Sequence, residues 1–298
     1  MRTISLKSLL FVFIIPQLIS CATLSPVDGE KFRVNKTDSL QDVAPGWMPF
    51  AGDTGIAYHA GRVAQPRFEF HALRIDLFNP VIQVTVGGAD KGGEALSTTV
   101  SSFVRDNDLL AGMNALPFYP VSDREGEPRT NIGIVIADGT VLSPPHPGFD
   151  ALVFFSSRIC AVVAQGDIGA FGNIDNAVGG FHQILLNNEL TPRTNGLTSR
   201  HPRSAAGLCG DGRFLYLLVI DGRRLRSIGA TEAQTALLLR ALGANQGINF
   251  DGGGSSALAI RFPDGIVRVV NTPIHRFIRG RQRAVAGSLG IGITMTNE

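Results

Sequence analysis

The sequence predicts an α+β fold: a single mixed domain with many hairpins and few helices. Three observations predict it. Thirty-five glycines lie in a chain of 298 residues with 44% apolar content, a composition suited to many short strands joined by tight turns around a sizeable core. Asp-Gly pairs stand between apolar runs at Asp138-Gly139, Asp211-Gly212 and Asp264-Gly265, a strong hairpin signal because both residues tolerate positive φ. One segment alone carries a full set of helix signals. Thr231-Glu232-Ala233-Gln234 reads as a capping box and Gly243 as a stop. A helix is therefore expected from Glu232 to Leu242, burying Ala233, Leu237 and Ala241 with Leu238 and Leu242 one row over.

In chain order, residues 1–20 read as an address rather than structure. Arg2 and Lys7 form a positive segment before the apolar run Leu9 to Ile19, which Pro16 interrupts and which is too short to span a bilayer. The run ends in Leu18-Ile19-Ser20-Cys21, similar to the lipobox of bacterial lipoproteins, which implies cleavage before Cys21 and acylation of its thiol. A plain secretory signal cut slightly later is the alternative. On either reading the mature chain is exported, with a membrane attachment through Cys21 on the first. Loss of the leader leaves 25 basic against 25 acidic residues, which argues against a nucleic-acid binder. Cys160 and Cys209 remain, and their spacing decides neither a disulfide nor a metal site. Residues 21–55, with Pro26, Pro45, Gly46 and Pro49, read as a tether. Residues 56–298 read as the domain.

Within it, Arg67 to Leu77 reads as a strand with both faces partly covered, and Pro80 to Val86 as its successor across Asn79-Pro80. Ser97 to Arg105 suggests a short helix capped by Ser97, with Val100, Phe103 and Val104 on one face. The run from Leu109 to Met113 reads as a strand ending at Asn114, where an asparagine serves a turn or a ligand. Hairpins follow at Ile132–Ile136 with Thr140–Leu142, Ser204–Cys209 with Phe214–Ile220, and Ala257–Arg261 with Ile266–Val270. Ala151–Phe155, Cys160–Val163 and His182–Leu186 add strands.

The chemistry concentrates around Asp251-Gly252-Gly253-Gly254-Ser255-Ser256. A buried strand, Gly247 to Phe250, delivers Asp251 at its end, and three glycines let the main chain approach a ligand closely. The plain alternative is a tight turn between two strands. Four other places gather polar groups: Asn114, Ser199 to Ser204, Asp221-Gly222-Arg223-Arg224, and the arginines at 279, 281 and 283. Guanidinium groups bind phosphate oxygens bidentately, and glycine amides add fixed donors. Asp251 and Asp221 are suited to hold sugar hydroxyls, act as base or nucleophile, or bind a divalent cation such as calcium. No lysine follows the glycines, which excludes a Walker loop. A Gly-x-Ser-x-Gly elbow and a His-Glu-x-x-His motif are also missing.

Taken together, His201-Pro202-Arg203-Ser204-Ala205, Asp221-Gly222-Arg223, Thr231 to Gly243, Asn249 to Ser256 and Arg283-Ala284-Val285-Ala286 resemble the phosphodiester glycosidase family. Met113-Asn114-Ala115 and Phe118 resemble its upstream signature, and the resemblance spans roughly residues 68–294. Leu116-Pro117 departs from the glycine-rich turn usual after the asparagine, at an expected site wall, and Ala284 stands where proline is usual. The resemblance implies one domain with a strongly curved sheet system and hydrolysis of a sugar-1-phosphate diester in an envelope or extracellular phosphoglycan. On it, Arg203 and Arg283 would bind phosphate, and Asp251 would serve the sugar centre as nucleophile or base. Asp221 is the second candidate for that role. Asn114, Arg223, Gly252, Gly253, Gly254 and Ser255 would contact substrate. A non-catalytic, lipid-tethered glycan-binding module and a metal-dependent phosphodiesterase remain as different readings.

Overall fold

The Asp-Gly hairpins form where the sequence places them, though only one is a two-residue turn. Val135–Ala137 pairs with Thr140–Ser143 across Asp138 and Gly139, whose φ angles are +47° and +73°. Arg203–Leu208 pairs with Phe214–Ile220, and Leu258–Arg261 with Val267–Val269, across longer loops. The computed structural model describes residues 34–52, 54–88, 92–196 and 198–294, and the chain from Phe32 onward forms one compact unit. Among the described residues it is mostly β with two α-helices, so α+β fits loosely, and no sheet closes into a barrel.

The main sheet has nine strands. Its path runs Val34–Ser39, Ile56–Gln65, Phe68–Asp76, Phe214–Ile220, Arg203–Leu208, Gln246–Asn249, His182–Leu186 and Glu189–Leu190, with Met48–Phe50 paired to Ile56–Gln65. The expected tether is thus too long. Val34–Ser39 runs parallel to Ile56–Gln65, and Leu40, Val43 and Phe50 are buried. Proline misled the reading, because Pro49 sits in an edge strand and Pro45 in a connection, where no ladder N–H is missed. The leader, Cys21 and the rest of the tether lie outside the described residues.

The helix Glu232–Leu242 has the expected bounds, its capping box formed and Gly243 at φ +113°. Its buried face is rotated from the expected one. Thr235, Ala236, Leu238, Leu239 and Leu242 are buried, while Ala233, Leu237 and Ala241 are half-buried. The reason is the sheet beneath. A Cβ added at Gly247 would stand 2.8 Å from Leu239 Cδ1, so the helix seats Leu239 in the gap that side-chain-free strands leave.

A second helix, Val100–Asp106, buries Val100, Phe103 and Val104 as expected. Its cap is Thr99, whose side chain accepts from Ser102 N, because Ser97 Oγ is drawn away to Arg124 O at 2.9 Å. This helix packs on a five-stranded sheet ordered Val267–Val269, Leu258–Arg261, Ala111–Asn114, Ser288–Ile293 and Ile82–Gly87. Another five-stranded sheet carries Asp150–Phe155 and Cys160–Ala164. Cys160 is buried, and neither it nor Cys209 forms a disulfide.

The strand ends Gln246–Asn249 and Ala111–Asn114 are stitched together. Asp251 N donates to Ala115 O at 2.8 Å, and Asn114 Nδ2 donates to Asp251 O at 2.5 Å. Phe250 between them is fully buried, and truncating it to alanine would cost about 3–5 kcal/mol. The glycine turn therefore rises from the seam of two sheets on a packed base.

Candidate functional site

After Asp251 the chain makes a single 3₁₀ turn, Gly253–Ser255, with Gly253 at φ +63°. Two guanidinium groups lie on it. A Cβ added at Gly253 would stand 2.9 Å from Arg223 Nη2, and one at Gly254 would stand 2.6 Å from Arg283 Nη2. Side chains at either position would displace an arginine, so the glycines serve close approach here.

Arg283 is half-buried and held by neutral partners. Its Nη1 donates to Ser255 Oγ at 3.1 Å and its Nε to His275 Nδ1 at 3.2 Å. Ser255 Oγ donates in turn to Asp251 Oδ2 at 2.5 Å. Among the described residues Arg283 makes no ion pair, and Arg223 is exposed without one. Burial pushes the Asp251 carboxyl up to about 6, against the pull of Ser255 and Arg283. Desolvation draws Arg283 below the ordinary guanidinium range, with Asp251 opposing.

His275 and Asp123 complete the arrangement, and the sequence reading missed both. His275 Nε2 meets Asp123 Oδ1, which fixes the tautomer so that Nδ1 accepts from Arg283. Burial lowers the His275 pKa, so the ring is neutral at neutral pH. Asp123 also takes Arg276 Nε at 2.9 Å and Arg281 Nη2 at 3.2 Å. The two partners lie 152 positions apart, and no motif spans that gap. The only local signal is a histidine after Ile274 just upstream of the flagged arginine crowd.

Three predicted residues are placed differently from expectation. Arg203 is buried beside Gly252, and each of its side-chain nitrogens makes one hydrogen bond. Nε goes to Ala230 O at 3.0 Å, Nη1 to Glu232 Oε1 at 3.2 Å and Nη2 to Ser199 O at 3.0 Å. Glu232 also meets His182 Nε2 at 2.6 Å. Arg203 is thus held inside the protein by three hydrogen bonds, at the edge of a cavity it lines with Gly252.

Asp221 is equally engaged: it is 1% exposed and accepts from Arg224, Asn271 and the Thr272 amide at 2.5–3.1 Å. Burial pushes its carboxyl up to about 6, with Arg224 pulling back. It braces the turn through Asn271, whose Nδ2 also reaches Ser256 O. Asn114 is a staple as well, its Oδ1 accepting from Ser204 Oγ and Ala257 N. All three stand at strand ends, and these hydrogen bonds are made inside the protein. Leu116 is buried, packing where a Cβ on Gly287 would stand 2.5 Å from it, so it underlies the seam rather than walling the site.

The structure thus brings together Asp251, Ser255, Arg283 and Arg223 over Gly252 to Gly254. Among the described residues no three His, Cys, Asp or Glu side chains converge as a metal site, so no set of ligands answers the calcium expectation. No described helix is long and apolar enough to cross a membrane.

Comparison with known proteins fits this geometry. The sequence profile of the phosphodiester glycosidase family matches residues 107–292, a span that contains every residue of the site. An SPbeta prophage-derived protein of Bacillus subtilis is 30% identical over 161 residues, 47% of this chain and 24% of that protein. The chain therefore spans only about a quarter of that relative's length. Two solved structures share the fold. The catalytic domain of zebrafish N-acetylglucosamine-1-phosphodiester alpha-N-acetylglucosaminidase, auto-inhibited by its pro-peptide, is 17% identical at a TM-score of 0.58, with 86% of each chain covered. A protein of Synechocystis is 14% identical at 0.58, covering 84% of this chain and 64% of the other.

Proposed function

The chain belongs to the phosphodiester glycosidase family, and from that premise we propose that it hydrolyses a sugar-1-phosphate diester. The observation that carries the reading is two arginines lying on consecutive glycines beside the half-buried Asp251, whose carboxyl desolvation pushes up to about 6. Arg223 and Arg283 take the phosphate, Arg223 in the place the sequence reading gave to Arg203. Planar guanidinium forks suit phosphate oxygens, and an arginine held by neutral groups keeps its charge for the ligand.

Asp251 then faces the anomeric carbon. The bond between that carbon and the phosphate oxygen breaks, the electron pair leaves with the phosphate monoester, and water supplies the oxygen that ends on the sugar. The leaving monoester is a weak base, so neutralising its charge matters more than protonating it. Asp251 acts in its ionised form, as nucleophile or as base toward water. On this reading the activity lies at the cell envelope, with Cys21 as the lipid attachment. Cys21→Ser would then lose the protein from salt-washed membranes, and unchanged retention would overturn the anchor.

Hydrolysis in water enriched in heavy oxygen tests the reaction. The label is expected on the sugar and not on the phosphate monoester. Label on the phosphate would mean attack at phosphorus, and binding without turnover would make the chain a glycan-binding module.

A further inference from the structure

The segments flanking the glycine turn end in two small turns of the same make. Arg224 and Ser227 exchange backbone hydrogen bonds at 2.9 and 3.1 Å, leaving Leu225 and Arg226 at the apex. His275 pairs with Ile278, leaving Arg276 and Phe277 at the apex. Each apex joins one apolar residue to one arginine. Leu225 is 88% exposed and Phe277 82%.

Neither apolar residue is needed by the fold. Phe277 sits at φ +62° after Arg276 at +51°, a turn for which Asn-Gly is the natural choice. An aromatic held in that region and turned to solvent is costly twice over, which points to a role outside the chain. Both turns adjoin the site. Arg223, two residues before Leu225, lies over Gly253, and His275, two before Phe277, touches Gly254. The loop bearing Asp123 adds exposed Tyr119 and Val121.

Charge identifies the occupant. The chain carries 27 basic against 25 acidic residues, yet arginine dominates here. Arg226 and Arg279 are exposed without an ion pair among the described residues. Apolar tips flanked by arginines suit one surface above others: an anionic bilayer, where apolar groups enter the interface and guanidiniums stay at the headgroups. A soluble polyanion would use the arginines and leave Leu225 and Phe277 idle.

We propose that the face carrying the glycine turn docks on anionic phospholipid through the Leu225-Arg226 and Arg276-Phe277 turns. The site then opens toward the membrane surface, where a diester with a lipid on its phosphate side would present its headgroup. The docking is read by binding alone, so it stands or falls apart from the hydrolysis.

The test uses the chain from Ala22 onward, which keeps the whole compact unit from Phe32 and lacks both leader and Cys21. Flotation is compared for vesicles of phosphatidylcholine alone and with a quarter phosphatidylglycerol. Binding is expected to the anionic vesicles only, weakening as salt rises. The double variant Leu225→Ser/Phe277→Ser should bind roughly tenfold more weakly, and Arg226→Gln/Arg279→Gln by a similar factor. All four residues are at the surface, so unfolding curves should not move. Equal binding to neutral vesicles, no binding to anionic ones, or full binding by either double variant would overturn the proposal.

Discussion

One arginine lies beside Gly252 and two lie against Gly253 and Gly254, and the difference between them points to the site. Arg203 spends its guanidinium on two carbonyls and Glu232, beside a cavity of about 270 Å³ lined by His182, Phe149 and Phe181. Arg283 is held by a hydroxyl and an imidazole nitrogen. The first cluster pairs its arginine with a carboxylate, which offsets the charge a ligand would meet. The second holds its arginine in place without a carboxylate in contact, so its charge remains available. Orientation without neutralisation is what separates a binding arginine from a structural one.

The largest expected effect is on Asp251. Asp251→Asn should lower turnover about a thousandfold or more, measured on a sugar phosphodiester, while circular dichroism stays native. The same variant has a stability signature. Burial holds the folded carboxyl near 6 against an ordinary 3.8, so the native state binds the proton more tightly than the unfolded one. Its ionisation therefore opposes folding, a cost absent below the ordinary value and complete above about 6. Asp251→Asn should thus match or exceed the parent in urea stability above pH 6 and lose that advantage toward pH 4. A variant that is active, or destabilised throughout, would return Asp251 to a structural role.

Next come the structural charges. Asp221→Ala leaves the Thr272 amide without its acceptor and Arg224 with Glu69 alone, and should cost about 3 kcal/mol by urea unfolding. Turnover per folded molecule should hold. Arg203→Lys reaches fewer of the three acceptors and should cost about 1–2 kcal/mol, again with turnover kept. Arg283→Lys should do the reverse, losing about tenfold in kcat/KM, or roughly 1.4 kcal/mol of transition-state binding, at unchanged stability. If Arg203→Lys costs activity and Arg283→Lys costs only stability, the comparison is inverted and the site lies at Arg203.

The finest probe is pH. With Asp251 acting ionised, kcat/KM should rise through about pH 6 and level off. Burial lowers the His275 pKa below its ordinary value, and its protonation removes the acceptor that holds Arg283. His275→Gln should lower kcat/KM a few-fold while leaving the limb near pH 6 in place. A limb that moves with the His275 variant would assign it to the histidine instead.

Much of this was legible in the residues. The Asp-Gly turns, the capping box at Thr231, the stop at Gly243 and the strand leading to Asp251 rest on local backbone preference, which acts over a few positions. For the same reason the strand end at Asp251 and the glycines after it stand out as a candidate site, whereas Arg283 is separated from the neighbouring arginines only by the family resemblance. Local preference says nothing of where a long side chain ends. Whether Arg203 or Arg223 faces the turn depends on Glu232 and Ala230, and the hold on Arg283 depends on an Asp123–His275 contact across 152 positions. The rotated face of the helix Glu232–Leu242 was likewise set by Gly247 beneath Leu239, not by the helix itself. The sequence by itself determined the turns, the helix bounds and the kinds of group at the strand ends. Only the tertiary structure decided which of those groups are satisfied by the protein and which are left for a ligand, because buried hydrogen bonds are completed by residues far apart in the chain.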